Sequence, residues 1–196
     1  MTPQSLRHSL RLMALLTCWA APLQGNDATA MQSARSQEQL VLPDIPVTDS
    51  HGLTGGFVSR YGDAGPVLIS FLYTNCTENC GMIISVMGLV DQDLQAAGAP
   101  PLHLIAISVD PWRDTPEVLD EVARSAWASD KWDWVVASTA DTPAFLSAFG
   151  LAPGPVATHE AVYLLGDLRS GRFTRFSGMP EPAELIAAAR QIPATK

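Results

Sequence analysis

The sequence predicts an α/β fold, and three observations carry that reading. Residues 66–73 and 102–109 are unbroken apolar, β-branched and aromatic runs of the length expected for strands buried on both faces. Between them Ile83, Val86, Met87, Val90 and Leu94 recur at three- and four-residue steps, the period of a helix, so the three segments form a right-handed parallel crossover. Near the end of the chain, residues 161–165 and 172–177 are two strand-like segments joined by a polar turn, an antiparallel hairpin.

Taken in order, the chain opens with Arg7, His8 and Arg11, an apolar stretch over residues 12–21, and small and polar residues through Ala30. Residues 1–30 therefore read as a secretory signal peptide, cut at about 21–30, where Ala28-Thr29-Ala30 has the small-x-small form and Pro22 disfavours a cut after Ala21. The apolar core is about half the ~20 residues of a membrane span, so no stable span is expected. Cys18 lies in that core and leaves with the leader. Residues 31–39 are small and polar, without periodicity, and read as a flexible tether. The remaining 40–192 form one domain, long enough for a proper core and too short for two.

Within that domain, residues 40–43 and 47–53, followed by Gly55-Gly56, predict an N-terminal hairpin. The helix after the first buried strand spans 82–97, with Asp91, Gln92, Asp93 and Gln95 on its solvent face and Gly98 and Pro100 at its end. The second buried strand leads through residues 110–115 into a helix reaching about Trp127, with Asp114 or Thr115 as cap and Pro116 in the first turn. A short strand at 132–136, a helix announced by Asp141-Thr142-Pro143 and ending at Gly150, the hairpin, and a helix from Pro182 to about Gln191 complete the chain. The order βαβ, then α, then ββα is that of a thioredoxin-like fold, with an N-terminal hairpin extension and extra elements before the terminal β-hairpin.

Cys76 and Cys80 stand between the first buried strand and the first helix. A pair at i and i+4 at the mouth of a helix has its Cα atoms roughly 6 Å apart, which suits a disulfide and equally suits two sulfurs clasping one soft metal ion. The helix N-terminus favours thiolate over thiol, so sulfur there is reactive. In an oxidising compartment the pair can close reversibly, and with Cys18 removed no odd thiol remains.

Three blocks, residues 71–80 around the two cysteines, residues 107–116 and His159 before Val162-Tyr163-Leu164, closely resemble the Sco/SenC family of copper-binding, thioredoxin-fold proteins over roughly residues 40–192. The resemblance implies copper, as Cu(I) or Cu(II), held by Cys76, Cys80 and His159, and a role in assembling the dinuclear copper site of cytochrome c oxidase. The implied partner is the oxidase's copper-binding subunit or another periplasmic copper protein. Thr77 and Gly81 stand where many members have proline, and the 166–171 turn is longer than the family's Asp-Pro turn; neither change removes a ligand.

Two thiolates and an imidazole form a soft set suited to Cu(I), and with added oxygen or nitrogen ligands to Cu(II), whereas structural zinc normally wants four protein ligands. The other candidates have structural readings: His51 in a turn, His103 on a strand, Met82 and Met87 filling gaps in the helix core, Asp114 as a cap beside Asp110, and Trp127, Trp132 and Trp134 as core and rim aromatics. Loss of Arg7, Arg11 and Asp27 with the leader leaves 10 basic against 19 acidic residues, net −9, which excludes nucleic acid as a partner class. The expectation is an exported, periplasmic copper metallochaperone. Enzymatic activity stays open, because Cys76 and Cys80 would also serve a thiol–disulfide oxidoreductase that keeps a target's copper-ligand cysteines reduced, and a copper or redox sensor is a third reading.

Overall fold

The computed structural model describes residues 34–76, 80–151 and 161–193. Eight strands and five helices are described: β1 (Ala34–Gln39), β2 (Pro46–Asp49), β3 (Thr54–Gly56), α1 (Phe57–Tyr61), β4 (Pro66–Leu72), α2 (Cys80–Leu94), β5 (His103–Ser108), α3 (Pro116–Ser125), β6 (Trp132–Ala137), α4 (Thr142–Ala148), β7 (Val162–Asp167), β8 (Arg172–Ser177) and α5 (Pro182–Ala189). The strands form one sheet in the order β1-β8-β7-β4-β5-β6-β2-β3. β4, β5 and β6 are parallel, and β7 runs antiparallel to β4 and β8.

All seven residues of β4 are buried because helices cover both faces of the sheet. Alternate residues of a strand point to opposite faces, so Leu68 and Leu72 enter the layer packed by α2, α3 and α5, while Val67, Ile69 and Phe71 enter the layer packed by Phe57 and Tyr61 of α1 and Phe145 of α4. The second layer is built on aromatic edges: Phe57 meets Phe145 at 5.0 Å and Phe149 at 5.8 Å between ring centroids, both T-shaped. Helix α3 starts as the sequence predicts, with Thr115 Oγ1 accepting from the Val118 N–H at 3.5 Å and Pro116 opening the helix.

The expected element order is present, with β6 and α4 as additions before the terminal β7–β8 hairpin. Three readings need correction, and one helix is new. The tether assigned to residues 31–39 is a strand from Ala34 onward, paired with β8 along its whole length. Its sequence, ARSQEQ, buries no apolar face; it is held instead by main-chain bonds, by Arg35 over the Phe176 ring, and by Glu38, which accepts from Arg175 Nε at 2.6 Å and Nη2 at 2.9 Å. The N-terminal hairpin exists, but it joins β2 to β3; residues 40–43 are not a strand, and Leu40 N–H donates to the Gly171 carbonyl at 2.8 Å. Gly171 has φ +66°, and a Cβ there would run into the Leu40 carbonyl. Helix α1 went unread because five residues are too few to show a period. Asp91 is not on a solvent face: it is buried and accepts from Ser129 N–H at 2.9 Å and Oγ at 2.5 Å.

Among the described residues no helix is long and apolar enough to cross a membrane. The leader assigned to residues 1–30, and Cys18 within it, lie outside the described residues.

Candidate metal and redox centre

β4 and β5 occupy the middle of the sheet, and their C-terminal ends carry the site. The Val109 N–H donates to the Leu72 carbonyl at 2.8 Å, extending the parallel ladder one step beyond the strands. The chain then leaves β4 through Tyr73, Thr74 and Asn75 to Cys76, and re-enters the described structure at Cys80, the first residue of α2. Cys76 and Cys80 are joined by a disulfide with their Cα atoms 5.8 Å apart. Cys80 is 6% exposed and belongs to the core under α2 with Leu72 and Ile83, whereas Cys76 is only partly buried. The Cys80 N–H points at the Cys76 sulfur, 3.3 Å away. That amide, with the positive end of the α2 dipole behind it, stabilises negative charge on Cys76 when the disulfide is reduced.

The approach to Cys76 is fixed from β5. Asp114, 1% exposed, accepts from the Thr74 hydroxyl at 2.6 Å, the Thr74 N–H at 3.1 Å and the Ser108 hydroxyl at 2.6 Å. Its own N–H and that of Arg113 donate to the Asp110 carbonyl, and Arg113 Nη1 donates to the Asp110 carboxylate at 2.6 Å. Asp114 is therefore not the cap of α3; Thr115 fills that place. The sequence signal for this role was the burial of a serine at the end of a hydrophobic strand six residues before an aspartate, and it reads equally well as a turn.

His159, the third expected ligand, falls in 152–160, outside the described residues, as do Thr77, Glu78 and Asn79. Among the described residues no cluster of three or more His, Cys, Asp or Glu side chains could hold a metal. His103 is structural: its Nε2 lies 3.1 Å from Asp133 Oδ2, and its ring stands 5.6 Å from Tyr61. Burial pushes the Asp133 carboxyl up, but the His103 hydrogen bond and charge, with Tyr61 and Arg60 adding to them, hold it below the usual carboxylate range. The His51 N–H donates to Asp49 in the β2–β3 turn. Met87, Trp132 and Trp134 are buried, as core residues should be. Met82 is 46% exposed in the first turn of α2, Trp112 is 69% exposed between β5 and α3, and Trp127 is 89% exposed, so these three do not fill the core.

What the geometry can do follows from the sulfurs. Closed, the pair stores two oxidising equivalents; reduced, it presents two soft donors at one helix terminus, a donor set fitted to a soft metal ion such as Cu(I). The sequence profile of SCO1/SenC matches residues 55–189, more than half of the chain. The chain belongs to the SCO1/SenC family. No curated protein sequence matches it. Among solved structures, BsSco, described as a member of the Sco family of cytochrome c oxidase assembly proteins with a disulfide switch, is 20% identical with a TM-score of 0.66, covering 79% of this chain and 94% of that one. Bradyrhizobium japonicum ScoI with copper bound is 22% identical with a TM-score of 0.56, covering 77% and 98%. Arabidopsis thaliana ScoI with copper bound is 12% identical with a TM-score of 0.64, covering 76% and 96%. At these identities the likeness shows the fold, and this SCO1/SenC chain shares with them the thioredoxin-like arrangement of sheet and helices.

Proposed function

We propose that this SCO1/SenC protein is an exported copper chaperone. Reduced at Cys76 and Cys80, it takes copper on those two sulfurs and on His159, and it passes the ion to the copper-binding subunit of cytochrome c oxidase in the periplasm. The observation that carries the reading is the sulfur pair itself, set at the end of a central strand and the start of α2, with one sulfur facing a helix N–H at 3.3 Å. Copper in the related ScoI structures, and oxidase assembly as the stated role of the family of BsSco, support the choice of ion and target. Reduction must precede loading, because a disulfide sulfur lacks the charge and the lone-pair basicity of a thiolate ligand.

Anaerobic titration of the reduced protein with Cu(I) against a competing chelator tests this. One ion per chain is expected, with tight binding lost in both Cys76→Ser and Cys80→Ser; wild-type affinity in either variant sinks the three-ligand site. The closed disulfide favours one second reading, a thiol–disulfide oxidoreductase acting on the target's own cysteines. His159→Ala separates the two, since imidazole binds copper but is not consumed in thiol exchange. Failed oxidase assembly in cells carrying only that variant, unrelieved by added reductant, supports delivery of copper; normal assembly with a protein unable to hold copper supports the reductase.

A further inference from the structure

Asp114 lies in the turn between β5 and α3, yet what it holds is the other strand's exit. Thr74, which it binds through both main chain and side chain, stands two residues before Cys76. The Ser108 hydroxyl accepts from the Asp110 N–H at 3.1 Å, so its proton is committed to Asp114. Three donors converge on one buried group, and an ionised carboxylate, which only accepts, satisfies all of them at once. An amide in its place would turn an N–H₂ toward at least one donor.

We propose that Asp114 is a positioning residue that sets the thiol–disulfide equilibrium of Cys76 and Cys80 by fixing Thr74, and with it the approach of the Cys76 sulfur to α2. Opening the disulfide with an external dithiol conserves atoms and electrons: protein disulfide plus dithiol gives two protein thiols plus the cyclic disulfide of the reagent, and closure is the reverse. In the dithiol form the tie keeps the Cys76 sulfur close to Cys80, raising the effective concentration of one thiol about the other. Loosening it lets the reduced segment spread over more conformations, which favours the dithiol. The inference concerns the metal-free protein, so its failure leaves the copper reading standing, and the reverse holds too.

The test equilibrates the full chain, metal-free, with mixtures of reduced and oxidised dithiothreitol, and reads the fraction of disulfide by thiol labelling. Asp114→Asn should lower the equilibrium constant for disulfide formation about tenfold, a shift of ~30 mV toward the dithiol, and Thr74→Val should shift it in the same direction. Asp91→Asn is the control. Asp91 is an equally buried carboxylate that holds a loop residue, Ser129, by its N–H and hydroxyl, from the far part of α2. It should lower the melting temperature while moving the equilibrium less than about twofold. An unchanged equilibrium in folded Asp114→Asn, or equal shifts in the Asp114 and Asp91 variants, overturns the proposal. Should Asp114→Asn fail to fold, Thr74→Val decides alone, because it removes one hydroxyl from a partly exposed position; an unshifted equilibrium there overturns the proposal as well.

Discussion

Replacing one cysteine at a time by serine asks which sulfur reacts first with another molecule. In Cys80→Ser the residue 80 N–H is retained, so Cys76 keeps its amide donor. In Cys76→Ser the remaining Cys80 thiol stays in the core under α2. The helix dipole acts on both sulfurs and drops out of the comparison. A hydrogen bond to a charged acceptor contributes ~1.5–3 kcal/mol, and the lower nucleophilicity of a stabilised thiolate returns about half of it. A rate advantage of ~4–12-fold for Cys76 is left, at 1.4 kcal/mol per tenfold. Exposing a small apolar side chain such as Cys80 before attack costs ~1 kcal/mol, a further ~5-fold. Alkylation by iodoacetamide at neutral pH, each variant normalised to its own rate in denaturant, should therefore run ~20–60-fold faster in Cys80→Ser than in Cys76→Ser. A ratio near one, or a faster Cys80, refutes the reading that the Cys80 N–H activates the Cys76 sulfur while burial shields that of Cys80.

Other outcomes follow from the packing. Asp133 has its carboxyl held below the ordinary range, so its contribution is present above the unfolded-state pKa and is lost as pH falls through the lowered folded-state value. Asp133→Asn should be less stable than wild type by ~1–2 kcal/mol at neutral pH, with the gap closing in acid, as urea midpoints against pH will show. Trp127 adopts φ 57° just past Ala126, the C-cap of α3, and the Ala128 N–H reaches back to the Ala123 carbonyl at 3.0 Å, a helix end that normally takes glycine. Relief of ~1–2 kcal/mol of left-handed strain against ~0.5–1 kcal/mol of added chain entropy predicts that Trp127→Gly gains up to ~1.5 kcal/mol; a loss of stability in thermal unfolding would mean the indole is held by something else. Arg175→Ala removes both bonds to Glu38 and one to the Phe149 carbonyl, and should cost ~2–3 kcal/mol while amide exchange in β1 rises more than in β4.

The parts of the fold visible in the sequence are those with one dominant cause. β4 and β5 are continuous apolar runs because both faces are covered, and Pro116 after Thr115 marks the start of α3 to the residue. The parts that escaped depend on partners far along the chain. Nothing local in ARSQEQ announces that β8 needs a neighbour, and Asp91 looks like any acidic residue on a helix until Ser129 folds against it. The cysteine pair was legible because its place between strand and helix is local. The carboxylate of Asp114 was misread for the opposite reason: a cap acts within one turn of its own chain, while Thr74 lies forty residues upstream.

The two outer strands of the sheet have a consequence for how chains behave in a crowd. A free strand edge invites another molecule to add its own strand, and such addition is the first step toward aggregates. Here one border, β3, is three residues long with two glycines, and it passes straight into α1. The other, β1, displays Arg35, Gln37 and Glu38 in place of apolar side chains that a visiting strand could grip. The molecule can thus keep a partly exposed sulfur at Cys76 without its sheet becoming a template for the strands of other chains.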